Sequence, residues 1–141
     1  MGYEQIAAVD LGSNSFRLEI GRVVDDQIYH LDTLKEPVRL ASGLNSDKFL
    51  DDSAQQRALA TLSRFGERLR GFQPDAVRVV ATNTLRVAKN ARTFIPLAEA
   101  ALGFPIEVIG GREEARLIYI GAAHALPPAR HKRLVIDIGG G

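Results

Sequence analysis

Ile6-Ala7-Ala8-Val9-Asp10-Leu11-Gly12-Ser13-Asn14-Ser15-Phe16-Arg17-Leu18-Glu19-Ile20 decides how the rest of the chain is read. An apolar run meets an aspartate, a polar turn follows, and Phe16, Leu18 and Ile20 then alternate with Arg17 and Glu19. That period of two predicts a pair of antiparallel strands folded back through a tight loop. Gly12 permits a positive φ and the close approach of a ligand, and Asn14 also tolerates the left-handed region. Such a turn aims several backbone N–H groups and the side chains of Ser13, Asn14 and Ser15 at one anion. Asp10, last on its strand, then sits beside that anion, where a carboxylate is useful mainly when a cation is bound too. The implied pair is phosphate plus Mg²⁺. Gly, Asn and Ser also dominate ordinary hairpin turns, so the motif alone does not separate the two readings. The other end of the chain does: Leu134-Val135-Ile136-Asp137-Ile138-Gly139-Gly140-Gly141 repeats the design of apolar strand, aspartate and glycines.

At 141 residues the chain has the length of one ordinary domain with a full core. Hydrophobic content of 45% beside 25% charged residues is that of a soluble globular chain. The formal net charge of +1 supplies no global field to select a nucleic acid polymer or a membrane surface. Absence of cysteine excludes disulfides and thiolate chemistry and agrees with a cytoplasmic location. No apolar stretch approaches the roughly 20 residues of a membrane span, and the first residues lack the features of a signal peptide. The last strand runs straight into a glycine run at the final residue, which predicts a second half beyond it.

Between these two turns the chain alternates strands and helices. Gln27 to Leu31 is expected as a third strand after Asp25-Asp26, with His30 on its surface. Glu36 to Asn45 is a loop, in which Arg39 is either solvated or within reach of a phosphate. Asp51 or Asp52 caps a helix to about Arg70 whose core stripe is Ala54, Ala58, Leu62, Phe65 and Leu69. Gly71 and Pro74 end it. Ala76 to Ala81 is β-branched and nearly continuous, as expected inside a parallel sheet. It leads into Thr82-Asn83-Thr84-Leu85-Arg86, where small polar side chains open a helix and Arg86 offers a charged fork to a phosphate. Simple helix capping accounts for Thr82 and Asn83 equally well. Ala91 to Leu102 is helical with a kink or restart at Pro96, and Pro105 to Ile109 is a short strand. A glycine turn then starts a helix on Glu113 and Glu114. Helix-dipole stabilisation suffices for Glu113, which lines up with Arg116. Glu114 heads an apolar face beside a strand end, a position suited to general-base work or to holding a water.

Three strands followed by helix, strand, helix, strand and helix combine an antiparallel meander with parallel crossovers. The expected fold is α/β and ribonuclease H-like, a mixed five-stranded sheet with flanking helices. Residues 1–125 make the first domain, 126–132 a hinge, and 133–141 the first strand and phosphate loop of a second domain. Ligands of open α/β sheets bind beyond the carboxyl ends of the strands. Asp10, Ser13–Ser15, Thr82–Arg86 and Glu114 all fall there.

Asp10-Leu11-Gly12-Ser13-Asn14-Ser15-Phe16, Val38-Arg39-Leu40-Ala41-Ser42-Gly43-Leu44, Thr84-Leu85-Arg86, Glu113-Glu114-Ala115-Arg116-Leu117-Ile118-Tyr119 and Val135 to Gly141 together have a precedent. The chain resembles the exopolyphosphatase / guanosine pentaphosphate phosphohydrolase (Ppx/GppA) family of the actin-like ATPase, sugar-kinase and heat-shock-chaperone superfamily. The resemblance implies that Gly12, Ser13, Asn14 and Ser15 form one phosphate loop and that Gly139, Gly140 and Gly141 begin a second. It implies Glu114 as the catalytic base, Arg86 as a phosphate ligand, and Asp10 and Asp137 as Mg²⁺ residues acting largely through waters. The implied activity is hydrolysis of terminal phosphoanhydride bonds of inorganic polyphosphate, with removal of the 5′ γ-phosphate of guanosine pentaphosphate (pppGpp) as the alternative. The full-length protein is expected to be a homodimer. A non-catalytic phosphate or nucleotide sensor is a competing class. A sugar or acetate kinase is another, against which the Glu-Glu-Ala-Arg-Leu segment argues. Members continue the final glycines with small, hydroxyl and glutamate residues, a stretch this sequence does not contain.

Overall fold

β1 (Gln5–Leu11) and β2 (Phe16–Val24) form the expected antiparallel pair, with Leu11 opposite Phe16 and Ala7 opposite Ile20. The computed structural model describes residues 4–117 and, beyond them, Leu134 and Ile136. The expected hinge at 126–132 and the second strand–Asp–Gly turn, with Asp137 and Gly139–Gly141, lie outside the described residues. Alternation divides the first two strands cleanly. Ala7, Val9, Leu11, Phe16, Leu18 and Ile20 are buried on one face, while Ala8, Asp10, Arg17 and Glu19 are exposed on the other.

β3 (Gln27–Glu36) runs five residues further than its sequence pattern suggests. Asp25 and Asp26 join it to β2 with φ of 51° and 63°, the doubly positive turn whose twist matches a two-residue hairpin. The register then shifts: Ile20 faces Asp32 and Gly21 faces His30, so Leu31 is the extra residue of a β-bulge. Gly21 allows this crowding, since a Cβ there would lie 2.8 Å from the Ile28 side chain. Ile28, Tyr29, His30 and Leu31 are all exposed, so no inward face exists where alternation was expected. β3 is the edge strand, and its first half, residues 27–31, is exposed.

α1 (Asp52–Arg68) starts as expected, with the Asp51 carboxylate accepting the Ala54 N–H at 2.7 Å. Its stripe of Ala54, Ala58, Leu62 and Phe65, continued by Leu69, is buried against the sheet and α3 (Ala91–Leu102). Backbone meets backbone there: a Cβ on Gly66 would stand 2.7 Å from the Leu102 carbonyl oxygen. α3 continues through Pro96, where a kink or restart was expected. The proline is on the exposed side, so the carbonyl it leaves unpaired is open to water, while Phe94, Ala98 and Leu102 hold the opposite side in the core.

β4 (Val77–Ala81) pairs parallel with β1, α2 (Asn83–Val87) follows it, and β5 (Glu107–Val108) pairs parallel with β4. The sheet order is β3-β2-β1-β4-β5. This mixed sheet with flanking helices is the expected ribonuclease H-like arrangement. β4 is buried on one face only, through Val79 and Ala81, while Arg78 is exposed on the other. The described helices α1 and α3 pack on the first face alone, which explains why the anticipated burial on both sides is not seen.

Candidate active site

The site is assembled beyond the carboxyl ends of β1, β4 and β5. At Gly12 the chain leaves β1 and its N–H reaches the Ser15 carbonyl at 3.2 Å. Gly12 does not take the positive φ expected of it. Glycine is needed for space, because a Cβ would lie 3.0 Å from that same carbonyl oxygen. Two distant segments pin the turn: Ala41 N–H donates to the Ser13 carbonyl (2.9 Å), and Arg39 N–H donates to the Asn14 carbonyl (2.8 Å). The N–H groups of Ser13, Asn14 and Ser15 find no acceptor among the described residues. Three successive donors on a pinned turn are the kind of group that can cradle an anion.

Ser13 is buried and its hydroxyl accepts a hydrogen bond from the Thr84 hydroxyl at 2.8 Å. Thr84 is itself buried, in the five-residue α2. Thr82 stands at the start of α2 but makes no side-chain cap, so the capping reading of that residue is not met. Thr84, quoted only as part of a motif, is the contact that sequence reading missed. A threonine in a helix's first turn gives no signal of a partner 71 residues away. Replacing Thr84 with valine is expected to cost about 1–3 kcal/mol, because a buried hydroxyl loses its donor. Chemical unfolding measures the loss, and Thr84→Ser retains most of the stability.

Arg86 lies two residues further along α2. Its Nη1 donates to the Ile109 carbonyl at 2.8 Å and to Glu114 Oε2 at 3.3 Å. Both side chains are largely shielded, at 29% and 28% exposure. Arg86 therefore fixes the Glu114 carboxylate through one nitrogen. Its Nε and Nη2 have no partner among the described residues. Glu114 sits in the helical turn over residues 111–117, with its N–H on the Gly110 carbonyl at 2.9 Å. Glu113 behaves as expected: Arg116 binds both its oxygens, at 2.9 and 2.7 Å, and that guanidinium holds its carboxyl below the ordinary range.

α2 thus touches the Ser13 turn through Thr84 and Glu114 through Arg86. Asp10 is on the exposed face of β1, in register with Arg17 and Val80, and borders an open groove of about 290 Å³ with Arg78 and Leu117. Leu117, on the same helical turn as Glu114, lines that groove. Among the described residues no helix is long and apolar enough to cross a membrane.

A ribonuclease H-like lobe with three backbone N–H groups that find no acceptor among the described residues, and an arginine-held carboxylate, at its strand ends sets the class of fold and site. Residues 19–141 match the Ppx/GppA phosphatase family, and the chain belongs to that family. It is similar to the exopolyphosphatase from Cytophaga hutchinsonii, with 32% identity and a TM-score of 0.81 over 87% of this chain and 39% of that one. It is similar also to the PPX-GPPA enzyme of Aquifex aeolicus, with 27% identity and a TM-score of 0.80 over 88% of this chain and 42% of that one. A nucleoside triphosphate hydrolase from Neospora caninum shares the fold alone, at 16% identity and a TM-score of 0.52 over 86% of this chain and 31% of that one. The chain spans well under half the length of each of these structures.

Proposed function

We propose that this chain is the first lobe of a hydrolase that removes terminal phosphates from inorganic polyphosphate and releases orthophosphate. The observation that carries the reading is the double engagement of α2, through Thr84 with Ser13 at 2.8 Å and through Arg86 with Glu114 at 3.3 Å. It sets one shielded carboxylate, and three N–H groups without an acceptor among the described residues, on the same end of the sheet. Family membership and the similarity to an exopolyphosphatase support the substrate class.

In the proposed reaction a water oxygen attacks the terminal phosphorus and the bond to the bridging oxygen breaks. Glu114 takes the water's proton, and the shortened polyphosphate leaves with the bridging oxygen. Phosphoryl transfer asks a protein mainly for position and charge neutralisation. Gly12–Ser15, joined by Gly139–Gly141, hold the phosphate oxygens, and Arg86 adds its remaining N–H groups. Asp10 and Asp137 are the residues to hold Mg²⁺, largely through waters. Mg²⁺ supplies charge neutralisation on the phosphate oxygens when bound. The donors fit that ion. Asp10 is an exposed carboxylate on a groove, and no group of three His, Cys, Asp or Glu residues stands together among the described residues. Mg²⁺ keeps several waters and leans on substrate phosphates, so it does not need an all-protein cage.

The test is phosphate release by the full-length protein with Mg²⁺, from long-chain polyphosphate, from pppGpp, and from ATP with an acceptor. Polyphosphate is expected to give the highest kcat/KM. A reversed order between the first two assigns the pppGpp activity to the same residues. Binding of both without release assigns a sensor, and formation of ADP and phosphorylated acceptor from ATP without orthophosphate release assigns a kinase.

A further inference from the structure

We propose that Arg39 binds the phosphate next to the one held by Gly12–Ser15, and so selects substrates whose anionic chain continues past the terminal group. This rests on the polyphosphate reading above. Arg39 has φ 53° and ψ 51°, in the left-handed region that bulky residues seldom occupy. Glycine or asparagine would hold the same backbone shape more comfortably. The surroundings over-determine the conformation. Its N–H is on the Asn14 carbonyl at 2.8 Å. Its carbonyl accepts the Ser42 hydroxyl at 2.7 Å, the Ser42 N–H at 3.2 Å and Arg57 Nη2 at 3.3 Å. Arg57 Nε also holds the preceding carbonyl of Val38 at 3.0 Å, so α1 braces the segment from behind. Strain kept in place by so many bonds marks a position where the side chain matters.

The side chain is also uncommitted. Arg39 is exposed, and its guanidinium has no partner among the described residues. Arg64, Arg68 and Arg86 each pair with a carboxylate, and Arg57 is used on backbone carbonyls and Ser53. The Arg39 backbone is thus one hydrogen bond from the turn, and its guanidinium, without a partner among the described residues, is on a side chain long enough to serve an anion held there. A guanidinium suits this task because its fork matches two phosphate oxygens at once. The terminal phosphate is served by the turn's own N–H groups, which leaves the following phosphate for Arg39.

The experiment uses the full-length protein with Mg²⁺ and the variants Arg39→Ala, Arg39→Gly and Arg39→Lys. Loss of one charge-assisted contact is expected to raise KM for polyphosphate roughly tenfold in the Ala and Gly variants, with kcat within about twofold. Arg39→Lys restores part of the affinity, as a charge without the fork. Inhibition by orthophosphate, which occupies the turn alone, is expected to be unchanged. The midpoint of thermal unfolding of Arg39→Gly is expected at or above that of wild type, which separates lost binding from lost fold. Unchanged KM in both the Ala and Gly variants overturns the proposal. An equal loss of orthophosphate affinity overturns the position assigned to Arg39. Calorimetric titration with tripolyphosphate reads the same contact without turnover. Wild-type binding that weakens in Arg39→Ala, with no hydrolysis by wild type, overturns the hydrolase reading and keeps Arg39. Absence of wild-type binding overturns both.

Discussion

Glu114→Gln in the full-length protein is expected to lower kcat for phosphate release by about 10²–10⁴-fold, the usual contribution of a positioned general base. Polyphosphate binding is expected to persist. Glutamine is nearly isosteric and still offers an oxygen to Arg86 Nη1, now 3.3 Å from Oε2. The Ile109 carbonyl continues to hold Arg86 at 2.8 Å, and the Gly110–Glu114 backbone bond is untouched. What disappears is the basic lone pair that accepts the water's proton. Glu113→Gln is the control, because Glu113 is committed to Arg116 and its loss leaves turnover unchanged. Single-turnover phosphate release with direct binding distinguishes the outcomes. Unchanged turnover in Glu114→Gln removes this residue from the chemistry. Parallel loss of binding assigns it to holding Arg86 in place instead.

Features of local periodicity were readable in the chain. Phe16, Leu18 and Ile20 alternate and all three are buried; Ala54, Ala58, Leu62, Phe65 and Leu69 recur at helical spacing and all five are buried. Glu113 with Arg116 is a neighbouring pair on one helical turn, and its contact was legible for the same reason. Long-range contacts were not. Ser13 meets Thr84 and Arg86 meets Glu114 only because the parallel pairing of β1, β4 and β5 brings their carboxyl ends together. Arg86 was read from the sequence as a candidate phosphate ligand, but nothing in its flanking residues showed that a carboxylate would occupy one of its nitrogens. The first half of β3 misled for a different reason. A bulge at Leu31 and an exposed edge erase the link between alternation and burial. At Gly12 the positive φ that glycine permits is not used, since a composition of turn residues does not distinguish a need for positive φ from a need for room.

Gly43→Ala is expected to destabilise the lobe by about 3 kcal/mol, at the upper end of ordinary overpacking. A Cβ at Gly43 would stand 2.2 Å from the Ala54 Cβ and 3.0 Å from Asp51 Oδ1. Neither Cβ can rotate away, because each is fixed by its own backbone. One of two segments has to move. Moving α1 pulls Ala54 N–H from the Asp51 carboxylate at 2.7 Å, a capping loss of about 1 kcal/mol. Moving residues 40–43 strains the Asp51 N–H bond to the Gly43 carbonyl at 2.8 Å, and draws Ala41 and Arg39 away from the carbonyls of Ser13 and Asn14. By the second route a packing fault becomes a binding fault, so KM for polyphosphate is expected to rise together with the fall in unfolding midpoint. Gly71→Ala is the contrasting case. Gly71 has φ 87° with nothing within 4 Å, so alanine there costs about 1 kcal/mol of backbone strain and leaves KM alone. Ala54→Gly introduced with Gly43→Ala removes the clash at its source. The double variant is expected to regain stability and KM relative to Gly43→Ala, beyond what the two single changes sum to. A strictly additive double variant would show that the turn over residues 40–43 and the start of α1 do not press on each other there.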